Sequence, residues 1–291
     1  MNTKQPIYAV TGATGNVGGT VARTLLAGGN RVRVVVRTPE KAEAWTARGC
    51  DAALADIADA AALSEAFANA AGVFVMIPPD FDPAPGFPLI HEKAAALRTA
   101  LLTAQPGKVV LLTTIGAQVG RPNLLHSSQI VEETLGDLPM PLAFLRAGWF
   151  MENFAWDVAA AKTGAVPSYL QPLDHPIAMV ATADIGETAA TLLRETWTGL
   201  RIVELEGPQR YSANDVATGF AAALGHPVKM DPIPRVEWEA RFRAQGIRHP
   251  EPRISMLDGF NEDWIEFQRS GTEHRLGTRN LNDVLLRLVG L

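Results

Sequence analysis

The segment Ile7–Gly18, with the sequence IYAVTGATGNVG, constrains the fold more than any other part of the chain. Apolar residues lead into the spacing G-x-x-G-x-x-G at Gly12, Gly15 and Gly18, and a helical apolar pattern follows at once. This order predicts a strand, a tight turn and a helix. Glycine allows positive φ and close approach of backbone N–H groups to a phosphate, and a helix start adds unpaired N–H groups and partial positive charge. The segment therefore predicts a pyrophosphate site; the alternative is a structural turn without a ligand.

The first half of the chain alternates short apolar runs with helical patterns. Predicted strands are Ile7–Thr11, Arg31–Val36, Ala52–Ala55, Val73–Ile77, Lys108–Thr113 and Leu142–Leu145, and predicted helices are Asn16–Ala27, Pro39–Arg48, Asp59–Ala70, Pro88–Ala104 and Ser127–Leu135. Short strands rich in Val and Leu are typical of parallel sheets buried on both faces. We therefore expect an α/β fold, a doubly wound parallel sheet of Rossmann type, with right-handed crossovers and strand order 3-2-1-4-5-6.

The alternation loosens after residue 147, where prolines divide the chain into short pieces. The remaining predicted elements are helices at Ala183–Glu195, Ala213–Leu224, Val236–Ala244 and Asn280–Leu288, and strands at Arg201–Glu206 and Val228–Pro232. We expect residues 1–147 to form a dinucleotide-binding core. Residues 148–291 are expected to form a smaller C-terminal α/β lobe without a core of its own, placed over the carboxyl ends of the strands, and to return elements to the core.

Composition excludes several classes of protein. The formal net charge of −5 argues against a broad nucleic-acid surface, and the charged run Arg235–Arg253 is interpreted as a solvated helix and loop. Cys50 is the single cysteine and the six histidines lack paired ligand spacing, so we expect neither a disulfide framework nor a metal site. The chain shows no run of transmembrane length, and MNTKQP enters the first strand without a signal-peptide pattern. We expect a cytoplasmic protein with no membrane or nucleic-acid partner.

Residues at the glycine turn and at the ends of the second and third strands are candidates for cofactor binding. The turn candidates are Gly12, Thr14, Gly15, Asn16, Val17 and Gly18. Arg37 follows the second strand, where the adenosine ribose lies in dinucleotide folds, and Lys41 is one helical turn further on. Cations there accommodate the 2′-phosphate, so we expect NADP(H) to be preferred over NAD(H); the alternative is a solvated pair. Asp56 either receives the adenine amino group or begins the turn into the next helix.

The ends of the fourth, fifth and sixth strands are the expected nicotinamide and substrate side. Ile77 and Thr113 are candidates for nicotinamide contacts. The loop Pro78–Pro88, rich in Pro, Phe and Asp, is expected to cover the cleft. Four residues are expected to bind substrate: Pro79, Phe81, Phe150 and Asn153. Aromatic faces suit flat substrates. The alternatives are that the loop is a surface crossover, that the Thr113 hydroxyl has no role, and that the aromatic residues pack in the core.

Several motifs resemble the NmrA-like branch of the atypical short-chain dehydrogenases. They are TGATGNVG at 11–18, VVVRTPEK at 34–41, LRAGWFMEN at 145–153, ADIGE at 183–187 and the segment 211–225. The similarity is greatest to quinone-oxidoreductase-like and azoreductase-like members. The resemblance implies a Rossmann-type fold, an NADP(H) site and hydride transfer to a small-molecule acceptor, although the family also includes regulators that bind the nucleotide without turning it over.

One expected motif of short-chain dehydrogenases is missing from the sequence. None of Tyr8, Tyr169 and Tyr211 has a lysine four residues later. Many atypical relatives instead carry a lysine in the helix before the sixth strand; here Ser128 stands at that position, four residues before Glu132, and the helix Ser127–Leu135 contains no lysine. We therefore expect hydride transfer to a quinone or similar flat electron acceptor without a tyrosine acid, and no catalytic residue is assigned. The alternative is an NADP(H)-sensing regulator acting through a protein partner. An epimerase is less favoured because it too needs an acid/base pair, and a homodimer is left open.

Overall fold

A computed structural model describes residues 5–290 of the 291-residue chain. The strands are β1 (Ile7–Thr11), β2 (Arg31–Val36), β3 (Asp51–Leu54), β4 (Gly72–Val75), β5 (Val109–Thr114), β6 (Leu142–Ala147), β7 (Trp149–Phe150), β8 (Ala165–Ser168), β9 (Met179–Val180), β10 (Leu200–Glu206), β11 (Lys229–Pro232) and β12 (Glu273–Leu276). The helices are α1 (Asn16–Ala27), α2 (Pro39–Thr46), α3 (Ala60–Phe67), α4 (Pro88–Ala104), α5 (His126–Leu135), α6 (Val158–Ala161), α7 (Thr182–Arg194), α8 (Ala213–Leu224), α9 (Trp238–Ala244), α10 (Glu251–Asn261) and α11 (Leu281–Val289). Short 3₁₀ helices cover Met151–Asp157 and Arg235–Glu237.

The central sheet has eight parallel strands in the order β12-β10-β6-β5-β4-β1-β2-β3. The predicted order 3-2-1-4-5-6 is confirmed, and β10 and β12 extend the sheet beyond β6. The predicted elements lie within three residues of the observed bounds. Parallel pairing brings the carboxyl ends of β1, β4 and β5 to one edge, so the loops after these strands lie side by side.

Apolar side chains cover both faces of this sheet. On one face α1 and α7 contribute residues such as Val21, Leu25 and Ile185, which are fully buried. On the other face α3 and α4 contribute residues such as Phe67 and Leu97, which are also fully buried. Both faces are dry, which explains why the strands are apolar in nearly every position.

The expectation that residues after 147 cannot build a core is wrong. A third apolar cluster forms there, and among its members Met151, Phe220, Trp238 and Phe242 are at most 1% exposed. Each of its helices is short, but their aromatic side chains bury one another and thereby remove a large apolar area from water. In the run Arg235–Arg253, which was predicted to be a solvated helix and loop, most charged side chains are exposed, but Trp238 and Phe242 are buried in this cluster.

The longest element that was not predicted is α10, and the edge strand β12 was not predicted either. Both come from residues after 147, and so do β10 and α7, which join the central sheet and its cover. The division of the chain at residue 147 stays a prediction.

Loops at the carboxyl edge of the sheet contact α10 directly. The N–H of Leu124, in the loop after β5, donates to the Pro252 carbonyl over 2.8 Å, and the Ser255 hydroxyl donates to the Pro122 carbonyl over 2.8 Å. The C-terminal elements therefore stand beside the loops that follow β4 and β5. Within residues 5–290, no helix has both the length and the apolar character needed to cross a membrane. The expectation about a leader sequence concerns residues 1–4 in part, which lie outside the described range.

Candidate functional site

The glycine turn presents free backbone donors at the start of α1. Gly12 adopts a φ of 65°, and its carbonyl accepts the N–H of Gly15 over 2.9 Å. The N–H groups of Asn16, Val17 and Gly18 have no hydrogen-bond partner among residues 5–290. The Val17 side chain is buried, so the backbone alone could contact a ligand here. Three adjacent donors at a helix start form an anion site, and exposed Thr14 lies next to it.

Space around the other glycines differs in a way that decides their roles. A Cβ on Gly18 would lie 2.4 Å from the Gly12 carbonyl oxygen, a backbone atom that cannot move independently. A Cβ on Gly15 would lie 3.5 Å from the same atom, an ordinary contact, and Gly15 has an extended backbone with a φ of −96°. Gly18 is therefore required by the fold, whereas Gly15 is open toward the ligand side.

Arg37, Lys41 and Asp56 lie where the adenosine end of a dinucleotide is expected. Arg37 and Lys41 are exposed, and neither side chain has a hydrogen bond or ion pair among residues 5–290. Asp56 Oδ1 accepts the N–H of Ala58 over 3.0 Å. This carboxylate therefore begins the turn into α3, the second of its two expected roles, and whether it also receives an adenine amino group stays a prediction.

A cleft opens at the carboxyl ends of β4 and β5, with about 630 Å³ of empty volume including the solvent at its mouth. The structure brings Ile77, Pro79 and Thr113 together in its lining, as predicted from their positions at the strand ends. Ser128, at the start of α5, lies in the same lining, which also includes the first residues of α4. The cleft therefore has mainly apolar walls, with hydroxyl groups on one side and the charged residues Asp80 and Lys93 also in its lining.

The other three predicted substrate residues do not line this cleft. Phe81 is 44% exposed and contacts the 68% exposed Trp156 edge-on, with ring centroids 5.8 Å apart. Phe150 is partly buried against the apolar cluster beneath α1 and α7. Asn153 is half-buried, and its amide has no hydrogen-bond partner in the described residues. Their role in substrate binding stays a prediction.

The loop Pro78–Pro88 is tied to the turn that precedes α10. Asp82 Oδ1 accepts the backbone N–H of Arg248 over 3.0 Å and that of His249 over 2.7 Å. Desolvation would raise the pKa of Asp82, but hydrogen bonds from His249 and Arg248 outweigh it and lower the pKa to about 2. The loop thus covers one side of the cleft while being held by residues far along the chain.

A buried charged network lies behind Thr113. The Thr113 hydroxyl donates to Glu132 Oε1 over 2.7 Å, and Arg146 donates to both oxygens of Glu132 over 3.0 and 2.6 Å. Arg146 is 4% exposed and also lies 4.0 Å from the fully buried Glu204. Glu204 accepts the backbone N–H groups of Gln268 and Arg269. The Thr113 proton is therefore committed to Glu132, so its oxygen can accept a hydrogen bond from a ligand but is poorly placed to donate one.

Sequence reasoning missed this network, although a signal was present. Glu132 follows Ile130 and Val131 and precedes Leu135, so it falls on the apolar face of α5. Arg146 stands near the end of an otherwise apolar strand, β6. A charge in such a place requires a partner, and pairing the two residues would have located the network.

Asp157 is a second carboxyl that the sequence did not single out. It ends the 3₁₀ helix Met151–Asp157, in which residues three apart share a face. Met151 and Phe154 on that face are buried in the C-terminal apolar cluster. Burial there raises the pKa of Asp157 to about 6. The carboxyl therefore destabilises the fold whenever it is ionised.

Replacing this carboxyl is expected to stabilise the protein at neutral and alkaline pH. In the unfolded chain Asp157 titrates near 3.8, so below about pH 4 it is neutral in both states and has no effect. Between pH 4 and 6 the unfolded state loses the proton first, and above pH 6 the full destabilisation is present. Asp157→Asn should raise Tm at pH 8 by about 5 °C and leave it unchanged at pH 4, as measured by calorimetry. The exposed Glu43→Gln is the control, and an equal gain at both pH values would contradict the assignment.

The fold and the glycine turn define an NAD(P)H-binding α/β protein. Residues 12–153 match a family model described as NAD(P)H-binding. The chain is 29% identical to an NAD(P)H azoreductase of Xenophilus azovorans over 87% of this chain and 84% of that protein. It is 24% identical to quinone oxidoreductase 2 of Escherichia coli K12, over 86% and 85%. Its fold is similar to that of the Citrobacter sp. triphenylmethane reductase complexed with NADP(H), with a TM-score of 0.76, 22% identity and coverage of 98% and 95%. Together with the motifs, these matches fit the NmrA-like group of atypical short-chain dehydrogenases, which the sequence resembles.

Proposed function

We propose that this protein is an NADPH-dependent oxidoreductase that transfers hydride to a quinone or a similar flat electron acceptor. The observation that carries the proposal is the cleft at the ends of β4 and β5, where Thr113 bonded to Glu132 offers a hydrogen-bond acceptor and no acid. An NAD(P)H-dependent oxidoreductase is also supported by the azoreductase and quinone oxidoreductase relatives.

The described residues fit the cofactor. The free N–H groups of Asn16, Val17 and Gly18 would hold the pyrophosphate, and the unpaired Arg37 would meet the 2′-phosphate. Ile77 would shield one end of the cleft from water. When bound, the cofactor supplies a hydride, which is two electrons and one proton.

No tyrosine lines the cleft and the Thr113 proton is held by Glu132, which favours acceptors that need little local help. Reduction of a simple ketone builds alkoxide charge and gains about 10²–10⁴-fold from a positioned proton donor. A quinone spreads the charge over its conjugated ring, so the second proton can come from solvent, giving the hydroquinone. The work of the protein is then to hold the two flat reactants together, which can itself supply much of the rate.

The test is NADPH consumption with quinones and simple ketones as acceptors. Quinones should be turned over and ketones should be at least about 100-fold poorer. Tyr169→Phe and Tyr211→Phe should leave turnover of neutral quinones within a few-fold, because neither ring lines the cleft and the Tyr211 hydroxyl is occupied by the N–H of Leu281 at 3.2 Å. Loss of turnover in either variant, with fold and NADPH affinity retained, would show that a tyrosine is the acid.

Arg37→Asp is expected to reverse the cofactor preference. A charge-assisted contact between Arg37 and the 2′-phosphate corresponds to roughly 10- to 150-fold in affinity, so the unchanged protein should prefer NADPH over NADH by that margin. The measurement is the Kd of each nucleotide by calorimetry. Arg48→Asp introduces the same charge change two residues beyond the end of α2 and should keep the preference. Equal affinities for both nucleotides in the unchanged protein would contradict the role of Arg37.

A regulator that senses NADP(H) through a protein partner is the second candidate. The same observation favours it, because Thr113 and Glu132 form a closed pair with no free acid. Tight NADPH binding without turnover of any quinone would select the regulator.

A further inference from the structure

Lys93 places a cation on the inward face of α4. It lies four residues after Leu89 and three after Ile90, and all three residues line the cleft at the ends of β4 and β5. Leu97, one helical turn further on, is fully buried in the apolar cluster on that side of the sheet. Because residues three and four apart share one face of a helix, Lys93 belongs to the row that faces the cleft, although lysines usually lie on the solvent face.

The ammonium of Lys93 is available to a ligand in the cleft. The side chain is half-buried, and among residues 5–290 it makes no hydrogen bond and no ion pair. Asp80 also lines the cleft, but its carboxylate accepts the N–H of Asp82 over 3.0 Å and does not pair with Lys93. Lys93 is thus the one cation among the described residues that line the cleft, and its three N–H donors have no protein acceptor there.

The hydroxyl groups in the same lining differ in what they can do. The Thr113 hydroxyl donates to Glu132 over 2.7 Å, so toward the cleft it can only accept. The Ser127 hydroxyl donates to the Leu124 carbonyl over 3.3 Å. The Ser128 hydroxyl has no hydrogen-bond partner among the described residues and is free to donate. An oxygen atom inside the cleft therefore finds two kinds of free side-chain donor, an ammonium and one hydroxyl.

The charge that develops during quinone reduction matches these donors. A hydride brings two electrons and one proton, so it converts a neutral quinone to a hydroquinone monoanion, and one proton from solvent then completes the hydroquinone. Negative charge on the acceptor oxygen therefore develops in the transition state and is absent from the bound quinone. A fixed cation that meets this charge stabilises the transition state more than the ground state, and so raises the rate without tightening quinone binding.

We propose that Lys93, assisted by the Ser128 hydroxyl, is a catalytic residue that stabilises the oxyanion formed on the acceptor when hydride arrives. The proposal rests on the function proposed above and adds charge stabilisation to the positioning of the two reactants. The ammonium acts through its charge and a hydrogen bond, and the second proton still comes from solvent. Acceptors whose rings hold the charge poorly depend on Lys93 most.

The test measures single-turnover rates and KM in the full chain with NADPH and three neutral quinones. They are 1,4-naphthoquinone, its electron-poor 2,3-dichloro derivative and its electron-rich 2,3-dimethyl derivative. Lys93→Met keeps the apolar stem and removes the charge. It should slow reduction of the parent quinone by about tenfold or more, while KM stays within twofold and NADPH affinity is unchanged. The loss should be largest for the dimethyl and smallest for the dichloro derivative, because chlorine atoms withdraw the charge that the ammonium would otherwise stabilise.

Matched variants show whether the charge is the cause. Lys93→Arg should recover part of the rate, and Ser128→Ala should show a smaller loss with the same order of acceptors. Lys162→Met, which removes an exposed lysine outside the cleft lining, should change nothing. If Lys93 were only structural, all three quinones would slow by the same factor, and that result would overturn the proposal. If Lys93→Met does not fold, Lys93→Gln replaces it in every comparison.

A spectroscopic measurement separates this proposal from the proposed function. Ionised 4-nitro-1-naphthol resembles the hydroquinone monoanion and is coloured, and with NADP⁺ bound no hydride is available. In the unchanged protein the bound naphthol should ionise at a pH at least about one unit lower than in Lys93→Met. This difference without turnover of any quinone would support the oxyanion site and overturn the proposed function. Turnover of all three quinones, with equal losses in Lys93→Met and the same ionisation pH in both proteins, would overturn the role of Lys93 alone.

Discussion

Gly15→Val is expected to abolish nucleotide binding while leaving the protein folded. Gly15 has an extended backbone that a β-branched residue adopts readily, and a Cβ there meets nothing closer than the Gly12 carbonyl oxygen at 3.5 Å. The added methyl groups would instead stand in front of the free N–H groups of Asn16, Val17 and Gly18. Losing even two charge-assisted hydrogen bonds corresponds to at least about 100-fold in Kd. Calorimetric titration with NADPH measures the loss, and Tm measures the fold.

Gly18→Ala is the contrasting variant. Its Cβ would lie 2.4 Å from the Gly12 carbonyl oxygen and 2.6 Å from that of Thr11, both backbone atoms, so the turn itself must distort. Gly18→Ala should therefore lower Tm as well as nucleotide affinity, whereas Gly15→Val should lower affinity alone. Normal titration of a folded Gly15→Val protein would show that the phosphate does not bind at this turn.

Arg146→Met is expected to cause the largest loss of stability among the substitutions considered. Arg146 is 4% exposed and neutralises Glu132, which is 8% exposed, with Glu204 a further 4.0 Å away. Removing one partner of a buried ion pair leaves an uncompensated charge and costs about 3–5 kcal/mol. The free energy of unfolding should fall by that amount and Tm by about 10 °C, as measured by urea unfolding and calorimetry.

The double substitution Arg146→Met with Glu132→Met tests the cause. It removes both charges, and because Glu204 keeps its backbone donors at Gln268 and Arg269, no carboxylate loses all of its partners. Replacing a buried pair with apolar residues of similar volume is often neutral. The double variant should therefore be more stable than Arg146→Met alone, and an equal or greater loss would show that packing, not charge, sets the effect.

Much of the sheet could be predicted because the residues of each strand form an apolar run and those of the following helix show a helical period. The bounds of β1, β2, α1, α4 and α8 match the sequence prediction, since apolar runs and helical periodicity are encoded within ten or so residues. The strand β12 could not be predicted, because it reads Glu-His-Arg-Leu and has no apolar run. Pairing with β10 and the ion pairs of Arg201 with Glu273 stabilise it, and both depend on residues about 70 positions away.

The candidate site was predictable to the same extent and for the same reason. Ile77 and Thr113 meet in the cleft because carboxyl ends of neighbouring parallel strands share one edge. Phe81 lies outside the cleft lining because side-chain direction in an irregular loop follows no period, and here Phe81 contacts Trp156 of the C-terminal half. The apolar neighbours of Glu132 and Arg146 signalled two buried charges, but that these two pair with each other depends on how α5 packs against β6, which no local pattern encodes.

The bond between Asp82 and the turn before α10 has a consequence for how the cleft opens. The His249 amide proton is held only while the loop after β4 is in place, since its acceptor is Asp82 Oδ1 at 2.7 Å. Lifting the loop frees that proton for exchange with solvent, although His249 is 167 positions away in the chain. The exchange rate of the His249 backbone amide, measured by NMR, therefore reports how often the loop over the cleft opens.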